Sequence, residues 1–180
     1  ASWELHKEDF FKLSAISYLR LRATTGYQGN VDPSLSSLIT ANVTGAVNRF
    51  SQPVSFLSNP PNAQLRWEKI RTTNFAVDFA TKPIKGNIEF FLKKGTDLIG
   101  TSPVDPTTGV MVFKGNTANM RGKGMDITLN TTNLSGSLKW TSDVLLSWAT
   151  DKVTKYLLKP NTVADALAGF NPIEGNPVYS

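Results

Sequence analysis

The chain contains no cysteine and a single histidine, His6, and these two shortages exclude whole classes of chemistry. Without a thiol it cannot form disulfides, Cys-ligated zinc sites, iron–sulfur clusters or a cysteine nucleophile. With one imidazole, set in a charged N-terminal turn, it lacks the base of a nucleophilic triad and any multi-histidine metal site. We therefore predict no metal, no cofactor and no catalytic residue, and expect the protein not to be an enzyme.

Long apolar runs are also missing, because the longest uninterrupted ones span a few residues and a membrane-crossing helix needs about 20. We expect no transmembrane segment, and the composition leaves the compartment open. With 40% hydrophobic and 18% charged residues the composition is that of a globular domain. A chain of 180 residues lies within the usual size of one domain.

Three segments have the spacing of helices. Acidic residues in the first turn and apolar residues behind them predict a short N-terminal helix over Ser2–Leu13. Asp32 before Pro33 is a favourable helix start, and it predicts a helix from Pro33 to about Thr44. Leu145, Ala149 and Val153 recur at i, i+4 and i+8, which predicts an amphipathic helix over 142–158, followed by a second short one over 161–168.

The middle of the chain has the period of strands. Apolar and polar residues alternate over 75–80, 88–93, 125–130 and 134–140, and a fifth run, 110–113, is apolar on both faces. Turn residues recur about every 8 to 12 positions, the spacing of a meander, sandwich or barrel. These patterns predict a β-rich α+β fold: an antiparallel meander, as barrel or sandwich, with an N-terminal helical region and a C-terminal amphipathic helix.

The same patterns predict one domain over residues 1–180. Its parts are a mixed helical and strand extension (1–59), an antiparallel β core (60–140) and a C-terminal helix with a tail (141–180). The proline-rich loop 58–62 marks the first boundary.

The main physical expectation concerns the two faces of the middle strands. We expect the large apolar side chains to turn toward a dry interior and the acids Asp78, Glu89 and Asp126 to lie in water. If the strands close into a barrel, the same apolar side chains become candidates for lining a ligand cavity. These are Phe75, Phe79, Phe90, Ile127, Leu138 and Trp140.

The net charge of +5 is concentrated in the middle third, where eleven Lys and Arg face six Asp and Glu. Lys93 and Lys94 close one strand, and Arg121 and Lys123 lie in the glycine-rich stretch Gly115–Gly124, which we interpret as a flexible hairpin loop. The four residues form a candidate basic contact loop. An anionic partner of this basic β region, nucleic acid or lipid, is a weaker hypothesis.

Elimination leaves three functions. The first is a non-enzymatic structural subunit that self-associates or joins a large assembly, of the coat, tail-tube, filament or accessory-subunit type. Such a virion or tail component would have copies of itself or other subunits as partners. The alternatives are a β-barrel binding module for a small apolar ligand and a barrel enzyme that works without His or Cys.

Overall fold

The computed structural model describes residues 1–103, 107, 112–157 and 173–177, and its regular structure is almost all antiparallel strand. The strands are β1 (Ser2–Glu4), β2 (Tyr18–Asn30), β3 (Thr40–Val47), β4 (Pro53–Asn59), β5 (Glu68–Ala80), β6 (Ile84–Pro103), β7 (Val112–Ser135) and β8 (Lys139–Tyr156). A 3₁₀ turn, Leu5–Lys7, follows β1. Among the described residues, no helix is long and apolar enough to cross a membrane.

Six of the strands form one sheet in the order β1-β2-β5-β6-β7-β8. β1 pairs with the start of β2, with Ser2 opposite Arg22 and Glu4 opposite Arg20. From β5 to β8 each strand pairs with the next one in sequence, which is a meander. β3 and β4 form a separate two-stranded sheet, an antiparallel hairpin inserted between β2 and β5.

Contacts along the chain group it into two units. The first comprises 1–28, 71–94 and 121–151, and it contains the short connections 81–83 and 136–138. The second comprises 29–70, 95–120 and 152–180, and the long connection 31–67, which carries the β3–β4 hairpin, belongs to it. The prediction of a single domain with three parts stays a prediction.

The predicted α+β class is wrong, because strands hold 68% of the described residues and 3% are helical. The N-terminal helix over Ser2–Leu13 is replaced by β1 and one 3₁₀ turn. Ser2–Glu4 pairs with β2, and the indole Nε1 of Trp3 donates to Glu8 at 2.8 Å. Tertiary pairing therefore outweighs the local helix signal.

The helix predicted from Pro33 to Thr44 is also absent from the structure. Asp32 does accept a backbone bond, from the amide of Ser34 at 2.9 Å, but this closes a turn rather than capping a helix. The chain then enters β3, whose β-branched residues favour the extended conformation.

The C-terminal helix over 142–158 is wrong as well, because β8 runs through it to Tyr156. A spacing of four residues is a multiple of two, so the i, i+4, i+8 series places side chains on one face of a strand as well as of a helix. The predicted second helix over 161–168 lies outside the described residues, as do residues 110 and 111 of the fifth apolar run.

Candidate functional site

The strands of the first unit carry a polar face with an ordered cluster of charges. The guanidinium groups of Arg20 and Arg22 each donate through Nε to Asp78 Oδ2, at 2.8 Å, and a second nitrogen of Arg22 reaches Oδ1 at 3.1 Å. Arg22 also lies 3.8 Å from Glu89, and Asn87 donates to Asp78. Side chains of three neighbouring strands, β2, β5 and β6, therefore meet at the Asp78 carboxylate, and the Asp78 side chain is 14% exposed.

Asn74 extends the cluster and leaves an acceptor without a partner. Its Nδ2 donates to Glu89 at 2.8 Å, and its buried Oδ1 has no hydrogen-bond partner among the described residues. An exchange of the two amide atoms would point an oxygen at the Glu89 carboxylate, which fixes the orientation of the amide.

Contacts at two glycines of β7 show which side chains of the neighbouring strands lie on this polar face. A Cβ on Gly124 would overlap the ring of Phe91 and lie 2.6 Å from the carbonyl oxygen of Trp148. A Cβ on Gly122 would meet nothing nearer than 3.6 Å, and it would lie 4.0 Å from the Cβ of Lys93. Lys93 and Phe91 therefore belong to the polar face.

The opposite face of the first unit is apolar, and much of it is exposed. A Cβ on Gly86 would overlap Phe79 and Leu129, which fixes the face for β5, β6 and β7. By alternation from these contacts, the face carries the following side chains: Leu21 on β2; Phe75, Val77 and Phe79 on β5; Ile88, Phe90 and Leu92 on β6; Met125, Ile127 and Leu129 on β7; Val144, Leu146 and Trp148 on β8. We call this set the apolar face.

The acids show the same division. Within the described strands of the first unit, each Asp and Glu falls on the polar face by register or contact. They are Glu4, Asp78, Glu89, Asp126, Asp143 and Asp151.

The expected arrangement of the faces is therefore inverted. Phe75 and Phe90 are 52% and 38% exposed, whereas the side chains of Asp78 and Glu89 are 14% and 27% exposed. Asp126 stands apart from that cluster, where it accepts a hydrogen bond from Ser147 at 2.6 Å. Alternation revealed two unlike faces, but it carries no information on which medium covers each of them.

The candidate cavity residues lie mostly on the exposed side. Phe75, Phe79, Phe90 and Ile127 belong to the apolar face, and Leu138 and Trp140 are 69% and 57% exposed. This placement lends no support to an enclosed apolar cavity, which stays a prediction. No cluster of three or more His, Asp or Glu within the described ranges is placed to hold a metal.

The candidate basic contact loop lies in two strands rather than in a loop. Lys93 and Lys94 are in β6, and Arg121 and Lys123 are in β7. The structure brings Lys94, Arg121 and Lys123 together on the apolar side of the sheet and places Lys93 on the polar side. All four are exposed.

In the second unit, polar contacts tie the long connection to the strands. Lys114 donates to the carboxylate of Asp32, and Glu68 accepts from the amide of Ile99 at 2.7 Å. The bonds from Lys114 and then from Ser34 hold the pKa of the Asp32 carboxyl well below its ordinary value. Asn116 donates to the carbonyl of Arg66 at 2.8 Å. Sequence reasoning assigned only Asp32, as a helix start, and it found none of the long-range contacts, because their partners lie far apart in sequence.

Comparison with known proteins gives the class to which this arrangement of strands belongs. A family model described as "TonB dependent receptor-like, beta-barrel" matches residues 9–179. TonB-dependent receptor P26 of Formosa agariphila is 28% identical over 161 residues, covering 85% of this chain and 16% of that protein. TonB-dependent receptor SusC of Bacteroides thetaiotaomicron is 26% identical over 164 residues, with the same two shares.

Solved structures agree on the fold. The RagAB peptide importer in its closed-closed state gives a TM-score of 0.72 over 89% of this chain and 19% of that chain, at 18% identity. The same importer in its open-open state gives a TM-score of 0.67 at 20% identity, with the same two shares. The chain belongs to the TonB-dependent receptor-like β-barrel family, and it spans about a sixth of the length of the two receptors.

Membership of this family corrects the predicted function. A self-assembling structural subunit of a virion or tail is wrong, and so are the apolar-ligand module and the barrel enzyme offered as alternatives. The relatives are receptors by name, and the family is named for its dependence on another protein, TonB. Self-association rests on elimination alone, and neither the described residues nor the names of the relatives support it.

Proposed function

We propose that this chain forms part of the wall of a membrane-embedded, TonB-dependent β-barrel receptor that imports a solute. The observation that carries the proposal is the division of the first unit, with its strand acids on one face and an exposed apolar surface on the other. Transmembrane barrels alternate apolar residues toward lipid with polar residues toward the lumen. The apolar face then meets acyl chains, and the Arg20–Arg22–Asp78 cluster faces the interior.

The connections support an orientation in the membrane. Outer-membrane barrels have short turns on the periplasmic side and longer loops on the outside. Residues 81–83 and 136–138 are short turns, whereas the long connection 31–67 carries its own hairpin. We assign the short turns of the first unit to the periplasmic side.

The edges of the sheet support a wall that continues into other strands. β8 ends the strand order, and β1 pairs with three residues of β2. Unpaired edges do not occur against lipid, because each backbone group must be satisfied there. The partners of these edges are further strands of the same receptor, and the chain contributes to transport rather than to catalysis.

Site-directed spin labels on a full-length receptor in lipid bilayers test the proposal. Since this chain has no cysteine, Phe90→Cys and Lys93→Cys would each add one label site, three residues apart on opposite faces of β6. The label at 90 should be relaxed mainly by oxygen, which dissolves in lipid, and the label at 93 mainly by a water-soluble nickel chelate. Equal nickel accessibility at both positions would refute the assignment of the faces.

A further inference from the structure

A row of basic residues borders the apolar face along one margin. Side chains alternate between the two faces along β5, β6 and β7 up to the residues where the first unit ends. This alternation places four basic residues on the apolar side: Arg71, Lys94, Arg121 and Lys123. Along β5 the apolar residues end at Phe75, and along β6 they end at Leu92, next to Lys94 on the same face. We call these four residues the basic row.

The register of the strands brings the four side chains to one level. Lys93 lies beside Gly122, so in this antiparallel pair Lys94 lies opposite Arg121, and Leu92 lies opposite Lys123. Thr81 bonds to Ile84 across the β5–β6 turn and Asn87 bonds to Asp78, so counting outward along this antiparallel pair places Arg71 opposite Lys94.

Within the described strands of the first unit, the basic row has no acidic counterpart on its own face. The strand acids of the first unit lie on the polar face, and none of the ion pairs within the described ranges involves a residue of the row. The four side chains are exposed. The guanidinium of Arg71 lies 5.6 Å from the ring centre of Tyr27, which is itself 76% exposed, a pairing suited to a membrane interface.

We infer that the basic row binds the phosphate groups of membrane lipids whose acyl chains cover the adjacent apolar face. This inference rests on the proposed function. Lys and Arg at the margin of a lipid-facing surface extend their charged ends toward head groups, and Arg and Lys are the usual ligands of phosphate. A row without acids, continuous with an acyl-chain surface, complements a phosphorylated head group in both charge and position.

Binding of dioctanoyl phosphatidic acid to the full-length receptor in detergent micelles, followed by native mass spectrometry, tests the inference. The row variant carries R71Q, K94Q, R121Q and K123Q. The control variant removes the same charge from exposed lysines elsewhere in the first unit, by K82Q, K85Q, K93Q and K139Q. The row variant should lose about tenfold or more in affinity, and the control variant less than about twofold.

Two further ligands separate the sources of binding. Dioctanoylglycerol, which lacks the phosphate, should bind wild type and row variant equally and weakly, and inorganic phosphate should not displace phosphatidic acid. Equal affinity of wild type and row variant for phosphatidic acid would overturn the inference, and so would displacement by inorganic phosphate. If the label at Phe90→Cys lies in lipid while these affinities are equal, the proposed function stands and this inference alone fails.

Discussion

At the scale of single residues, the two neighbouring glycines of β7 differ in what a side chain would meet. At Gly124 an added methyl would overlap the ring of Phe91, which can turn, and would approach the backbone oxygen of Trp148, which cannot. At Gly122 the added methyl would make ordinary van der Waals contacts, the nearest at 3.6 Å. The first position requires glycine because β8 packs against it.

We therefore expect Gly124→Ala to lower the free energy of unfolding of the full-length receptor by about 1 to 3 kcal/mol, the usual cost of overpacking. Gly122→Ala is the matched control and should change it by less than about 0.5 kcal/mol. Urea unfolding in detergent micelles, followed by tryptophan fluorescence, measures both. Equal effects of the two substitutions would show that the approach of β8 to Gly124 does not limit packing.

At the scale of elements, the sequence predicted strands over 75–80, 88–93 and 125–130 correctly, but it placed a strand over 134–140, where β7 turns into β8, and it failed on the helices. Strict alternation around Phe75, Phe90 and Ile127 has no helical counterpart, so these segments lie within β5, β6 and β7 as predicted. The spacing of Leu145, Ala149 and Val153 fits both a helix and a strand. Pairing with β7 makes this segment a strand. The lengths of the strands could not be predicted from the local sequence either. Glycines such as Gly124 are typical of turns, but Gly124 lies within a long strand, where it permits close packing.

The β3–β4 hairpin is an element that pairs with itself. Thr40 lies opposite Asn59 in the register, so a short Gly-Ser linker can join these two positions in place of residues 41–58. Because the hairpin forms a separate sheet, we expect this deletion to leave assembly in the membrane intact and to change the free energy of unfolding by less than about 0.5 kcal/mol.

The fraction of folded receptor in isolated membranes measures this outcome. An equally long deletion of 127–144 is the control, and it should abolish assembly because it removes the paired ends of β7 and β8. A loss of folded receptor after deletion of 41–58 would mean that the hairpin supports the main sheet.

At the scale of the whole molecule, the sequence defined two unlike faces and assigned them to the wrong media. Asp78 and Glu89 were expected in water because interiors of globular proteins are apolar. A membrane barrel reverses this, since lipid surrounds the apolar side chains and the lumen is polar. The signals that could have indicated the reversal were the strand acids confined to one face and the unequal lengths of successive connections.

If lipid covers the apolar face, one pair of lysine substitutions should reduce association of the isolated chain in buffer and also reduce assembly of the receptor in the membrane. Val144 and Leu146 lie on the apolar face of β8, at the edge of the sheet, and are 50% and 56% exposed. In detergent-free buffer the isolated 180-residue chain would present this surface and an unpaired edge to water, so we expect it to elute far above its mass of 19.7 kDa. Val144→Lys with Leu146→Lys should shift it toward smaller species, as light scattering would show.

In the full-length receptor the double substitution should instead reduce assembly, because lysine on a lipid-facing strand costs about 2 to 4 kcal/mol at the middle of the bilayer. The control is Ser147→Lys, on the polar face, which should have the smaller effect on assembly. If water covered this surface in the native receptor, the two lysines would reduce association of the isolated chain without reducing assembly of the receptor. A shift of the isolated chain toward smaller species, together with unimpaired assembly of the receptor, would therefore contradict a lipid-facing apolar surface.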